Sequence, residues 1–191
     1  MYRVYTISNL PVPSWSDLGS HFLTFISVLR LGKSLEMIYQ AKQALHIQDI
    51  VIQTCVTLSR IASACFLFLD HIIWLQRAKA INIDIKPISD ISNQFWLLST
   101  AINLVRNIYD WNRIYAAQQL DKRRRESARI EQPPSLSVAL DTVKNLCDIL
   151  IPLNGLGHIQ VSGVVQGATG VVSSIIGIAT VWDDNLKCLN K

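Results

Sequence analysis

The longest apolar pattern lies near the carboxyl end of the chain. Residues 159–182 contain no Asp, Glu, Lys or Arg, and the uncharged run reaches back to 149, altered in character only by Pro152 and His158. A helix needs roughly 20 apolar or neutral residues to cross a bilayer core. The run closes on Trp182 and then Asp183 and Asp184, an interfacial aromatic followed by charge. A soluble helix of this length would carry a charged face. The pattern therefore predicts a transmembrane helix over 159–182 and a short tail over 183–191. Within it, Gly163, Gly167, Gly170, Ser174 and Gly177 are spaced 4, 3, 4 and 3, which places them on one helix face. Small residues so arranged let two helices in lipid approach closely. They predict a self-association seam, with packing inside one chain as the alternative.

The rest of the chain alternates amphipathic and apolar stretches. Residues 1–16 read as irregular, since Pro11 and Pro13 oppose a helix. Amphipathic and apolar helices are predicted over 17–120. Leu18, Phe22, Phe25, Ile26 and Leu29 share one apolar face, predicted to insert into a membrane leaflet. The phase shifts near Gly32, after which Leu31, Leu35, Ile38 and Leu45 oppose Lys33, Glu36, Gln40 and Gln43. Residues 55–76 form a borderline span. Ten Leu, Ile, Phe or Val side chains favour insertion by roughly 3 to 6 kcal/mol, and Arg60 with Asp70 opposes it by nearly as much. Snorkelling by Arg60 tips the balance toward insertion. A third apolar segment, 91–109, reads as packed or interfacial, with Arg106 and Asp110 spaced to pair. A charged linker follows over 121–136. Residues 137–158 read as a short amphipathic helix, stopped by Pro152, and a turn at Asn154 to Gly157. The predicted class is all-α: a membrane-associated helical protein with one clear carboxyl-terminal span and a second at 55–76.

Composition narrows the function. Half of the chain is apolar, 17% is charged, and the net charge is +4. The basic run Lys122 to Arg125 lacks interleaved aromatic residues, which argues against nucleic acid. Cys55, Cys65, Cys147 and Cys188 show no CxxC spacing and read as reduced thiols. The four histidines have no metal-ligand spacing, and no nucleophile elbow or phosphate loop is present. No catalytic site, metal or cofactor is expected. Asp70–His71 beside Trp74 is a candidate proton-handling pair, though such pairs more often pack locally. No cleavable signal, prenylation box or Ser-Lys-Leu ending is evident.

The ordered motifs carry a resemblance. Arg30-Leu31-Gly32-Lys33, FLFLDHIIWL at 66–75, FWLLSTAINLVRNIYD at 95–110, LDTVKNLCDILIPLNGLG at 140–157 and SGVVQGATGVVSSIIGI at 162–178 together resemble the peroxisomal biogenesis factor 11 family. The matching positions include Arg30, Gly32, Asp70, Trp74, Arg106, Asp148 and Pro152. Residues 1–16 do not fit the longer helical amino terminus of that family, which reads here as shortened. The resemblance implies an integral protein of the peroxisomal membrane that self-associates, elongates and remodels the bilayer through amphipathic helices, and promotes division. Its implied partners are membrane lipids, further copies of itself, and a dynamin-type GTPase with its adaptors. It also implies spans near 58–76 and 159–182 with both termini in the cytosol. That puts the basic linker on the matrix side, against the positive-inside tendency. An oligomeric pore lined by Asp70, Asn103 and Arg106 is the alternative function.

Overall fold

The computed structural model describes residues 32–78, 80–124 and 135–182, and all the secondary structure described is helical. Helix α1 covers 32–44. It is followed by α2 (Ile50–Arg77), α3 (Ile85–Arg124), α4 (Ser135–Gly155) and α5 (Gly163–Trp182). Each packs on its sequence neighbour, α2 on α3, α3 on α4, and α4 on α5. The face of Leu18, Phe22, Phe25, Ile26 and Leu29, together with Arg30, lies outside the described residues.

Local chemistry sets the helix ends. Asp49 caps α2, accepting from the N–H of Val51 at 3.0 Å and of Ile52 at 3.4 Å, which satisfies donors the helix leaves open. Asp84 accepts from Lys86 N–H at 3.1 Å ahead of α3, and Pro87 sits in the first turn, where a missing N–H is harmless. Helix α4 ends in a Schellman arrangement. His158 N–H donates to Leu153 O at 3.0 Å and Gly157 N–H to Asn154 O at 3.1 Å, with Gly157 at φ 77°, a conformation other residues adopt at a penalty. Ser162 then caps α5 through Val165 N–H.

Several boundaries differ from the sequence expectation. The helix over 137–158 was expected to stop at Pro152. It passes through Pro152 to Gly155. Proline removes one intrahelical hydrogen bond, and Pro152 is fully buried, so packing outweighs that loss. The segment expected at 91–109 is the middle of a 40-residue helix, which absorbs the start of the linker expected at 121–136. The span expected at 55–76 extends over Ile50–Arg77, and the one expected from 159 starts at Gly163 after a turn.

The packing is inside-out. Ser59, Ser92, Ser99, Thr100, Arg106, Asn107, Ser137, Asn145 and Ser173 are buried, while Leu58, Ile61, Phe68, Leu98, Val105, Leu146, Val164, Val171, Ile175 and Ile178 are exposed. Water would penalise that arrangement; lipid favours it, because helices there associate through small and polar contacts. Helices α2 and α3 run antiparallel with Ser63 and Ser99 hydroxyls 2.7 Å apart. Ser99 donates to Ser59 O at 3.0 Å and Ser92 to Phe66 O at 3.4 Å. The rings of Phe66 and Trp96 stack at 5.0 Å. Helix α1 joins α2 in the same manner, Ser34 donating to Ala64 O at 3.4 Å. Helices α2 and α5 are long and apolar enough to cross a membrane, and only 22% and 11% of their most apolar windows are buried. The core helix of a soluble protein would be mostly covered.

Candidate functional site

Two features concentrate the unusual chemistry: a polar cluster between α3 and α4, and the small-residue face of α5. In the first, Arg106 is 6% exposed. Its Nη2 donates to Asp141 Oδ2 at 2.8 Å, and its Nε lies 3.7 Å from Asp110 Oδ2. Asn107 beside it is wholly buried. It donates to Asp141 Oδ2 at 3.0 Å and Asn103 O at 3.2 Å, and accepts from Thr142 N–H and Asn145 Nδ2, each at 3.2 Å. Asn145 also donates to Asp141 at 3.2 Å, and Trp111 Nε1 donates to Thr142 Oγ1 at 3.3 Å. Asp141 thus collects donors from both helices. The Asn93 side chain of α3 lies against Gly155 at the other end of this pair. A Cβ on Gly155 would meet Asn93 Nδ2 at 2.7 Å, so only glycine fits unless the Asn93 side chain shifts.

The expected Arg106–Asp110 pair is present, but sequence reasoning missed Asn107, Asp141 and Asn145. Their signal was the isolated polar residue in an otherwise apolar helix, which faces the bundle interior by default. A second cluster closes the same end of the bundle. Asp49 accepts from Tyr109 Oη at 3.1 Å and Arg113 Nη1 at 3.3 Å. Desolvation opposes ionisation of Asp49, but the N–H groups of Ile52 and Val51, the Tyr109 hydroxyl and Arg113 hold its carboxyl below the usual aspartate range. Asp110 goes the other way. Burial raises its carboxyl, and Arg106 and Arg113 only partly offset that.

These shifts predict opposite pH effects. A depressed folded-state value stabilises above the unfolded value and is lost as pH falls through the folded one. The Asp49 contribution therefore disappears below the ordinary carboxylate range. Asp110 is raised, so its protonation during acidification favours the fold. Asp49→Asn should lower the thermal midpoint at neutral pH and flatten its decline below about pH 4, read by circular dichroism in detergent. A decline as steep as in the parent protein would assign acid sensitivity to other groups.

The α5 face is open. A Cβ on Gly163, Gly167 or Gly170 would meet nothing within 4 Å, and one on Gly177 would touch only the Lys144 stem at 3.9 Å. Ser174 is exposed and bonds back to Gly170 O at 2.8 Å. The side turned to α4 carries Ser173 and Ile176, the buried residues of α5. The seam lies roughly a third of a turn from it, at 3.6 residues per turn. Among the described residues, Lys144 at Gly177 is the side chain that reaches these glycines.

The remaining motif positions serve the bundle. Lys144 pairs with Asp148 at 3.6 Å, and Pro152 is buried. His71 lies against Trp74 at 5.5 Å between ring centroids. Gly32 opens the described part of α1, where a Cβ would meet no described residue within 4 Å. Among the described residues no three His, Cys, Asp or Glu side chains group to hold a metal, and Cys55, Cys65 and Cys147 are free.

Comparison with known sequences fits this architecture. The family profile of peroxisomal biogenesis factor 11 (PEX11) matches residues 6–182. The chain belongs to that family. The match takes in most of 1–16, which the motifs alone had left outside. Peroxisomal membrane protein 11A of Rattus norvegicus is 30% identical over 191 residues, covering 83% of this chain and 74% of the relative. Peroxisomal membrane protein 11B of Homo sapiens is 27% identical over 204 residues, covering 86% and 79%. Human peroxisomal membrane protein 11A is 28% identical over 191 residues, covering 83% and 74%. No solved structure matches the chain. This PEX11 family member is a peroxisomal membrane protein with two helices suited to spanning the bilayer.

Proposed function

We propose that the protein self-associates in the peroxisomal membrane, bends and elongates it, and so promotes division and proliferation. The observation that carries this reading is the open seam of α5. A helix that turns glycines away from its own chain in lipid is suited to close contact with a second copy. The amphipathic face at Leu18, Phe22, Phe25, Ile26 and Leu29 supplies the wedge. Buried about 5 to 10 Å into one leaflet, it expands that leaflet, and association concentrates the wedges. Recruitment of a dynamin-type GTPase and its adaptors belongs to the same proposal by family resemblance. The pore alternative is weakened at one named position: Arg106 is bound to Asp141 between helices, so it is not free to line a lumen within the chain.

Liposomes reconstituted with the full chain test this. Tubulation without leakage of small solutes is the expected result. Phe22→Glu with Ile26→Glu puts two charges on the wedge, each of which resists burial, and should abolish tubulation while the protein still inserts. Leakage without shape change would favour the pore.

A further inference from the structure

The contacts fix a common register across α2 to α5. Asp49 of α2 meets Tyr109 and Arg113 of α3. Ser63 meets Ser99. Arg106 and Asn107 meet Asp141 and Thr142 of α4, and Asn93 meets Gly155. Lys144 lies over Gly177 of α5, and Asn154 faces Gln166 at 3.5 Å. The four helices therefore alternate in direction, and their apolar stretches are bounded at two shared levels. One level holds Asp49, Asp110, Arg113, Asp141 and Trp182. The other holds Asp70, Asp90 and the turn at 156–162.

Charge follows those levels. Between them α3 is uncharged over 91–105, α4 is uncharged beyond Asp148, and α5 is uncharged throughout. The charged groups between the levels are Arg60 of α2, the Lys144–Asp148 pair of α4 and, one turn inside Asp110, Arg106. On α3, Ile91, Leu98 and Val105 point out of the bundle, seven residues apart on one stripe, and Leu146 does so on α4. Ser92, Ser99, Asn107 and Asn145 of these helices point in, while Gln94, one turn from Asp90, is exposed. Fifteen residues at 1.5 Å each make a slab of roughly 22 Å. That is thinner than a hydrocarbon core of about 30 Å, a mismatch met by local thinning and snorkelling. Helix α1 also exposes Leu35, Ile38 and Tyr39, beside the ion pair of Lys33 and Glu36 at 2.9 Å.

We infer that α3 and α4 lie at the same bilayer depth as α2 and α5, with lipid acyl chains as the partner of their outer stripes. The inference rests on the assignment of α2 and α5 as spans. The chain then enters the membrane as two antiparallel hairpins, α2–α3 and α4–α5. Helix α3 runs on past Asp110 to Arg124, and α4 starts at Ser135, both on the side of Asp49 and Trp182. The basic run Lys122–Arg125 and the linker after it consequently share a side with the tail 183–191, opposite the α4–α5 turn. A two-span arrangement puts the linker with that turn instead. The conflict between the linker and the positive-inside tendency disappears when the tail is cytosolic.

Single cysteines in a background lacking the native four decide between the arrangements. Ser127→Cys reports the linker, Gln160→Cys the turn, and retained Cys188 the tail. Intact peroxisomes are treated with a membrane-impermeant maleimide, before and after permeabilisation. Ser127→Cys and Cys188 should label together, and Gln160→Cys only under the opposite condition. Labelling of Ser127→Cys together with Gln160→Cys, opposite to Cys188, overturns the inference and leaves the two spans standing. Labelling of Gln160→Cys together with Cys188 removes α5 as a span and the inference with it. Depth is read separately with Leu98→Cys, which should react with a lipid-soluble maleimide and not with a water-soluble one. Equal reaction with both would put α3 in water and overturn the inference.

Discussion

Arg106→Met is expected to destabilise the fold by about 3 kcal/mol, the low end of the range for breaking a buried pair. Arg106 supplies the shortest bond of the α3–α4 cluster, 2.8 Å to Asp141. Its removal leaves the Asp141 carboxylate facing Asn107 and Asn145 without a counter-charge. Most of the loss comes from that stranded charge rather than from the bond itself. Two facts keep the figure low. The Asp141 side chain retains 26% exposure, so some solvent reaches it, and a chain unfolded within lipid also finds polar partners. Arg106→Met with Asp141→Leu should recover much of the loss, because two apolar groups of similar bulk need no partners. Unfolding by denaturing detergent, followed by circular dichroism, measures both variants. A double variant no more stable than the single one would show that the helices are held by Asn107 and packing, not by the ion pair.

That cluster marks where sequence reasoning stopped. Periodicity and charge were enough for α5, for most of α2 and for the Arg106–Asp110 spacing, because each depends on residues close in the chain. The cap of α2 is also local, since Asp49 precedes an apolar run, but the most apolar window begins five residues after Ile50, at 55. Helix α3 is harder. Its last turns, including Asn112, Arg113, Gln118 and Gln119, are polar and exposed, and a helix without an apolar face leaves no periodic signal. Pro152 was read by local rule as a stop, and its burial between packed helices overrode the rule. The partnership of Asn107 with Asp141 depends on the register of two helices joined through a charged linker, which no local pattern encodes. The direction of the glycine seam is of the same kind. Spacing put five small residues on one face, and only the placement of α4 against Ser173 and Ile176 leaves that face uncovered.

The uncovered seam gives a clean second test. In most helices a Gly→Leu change disturbs the fold as well as any contact between molecules. At Gly167 a new side chain meets nothing within 4 Å, so the chain should fold unchanged, with if anything a small gain in helix propensity. Between two copies the same side chain would hold the backbones apart and remove dispersion contacts along Gly163, Gly170 and Ser174. Association of the reconstituted protein, followed by energy transfer between labelled copies, should weaken by about tenfold, or 1.4 kcal/mol. Ile175→Leu changes shape on a different exposed face at constant volume, and association should stay within error of the parent. Ser173→Leu is the opposite control, because it overfills the α4–α5 contact and should lower the thermal midpoint. If Gly167→Leu associates as strongly as Ile175→Leu, copies meet through another surface and the open seam faces lipid alone.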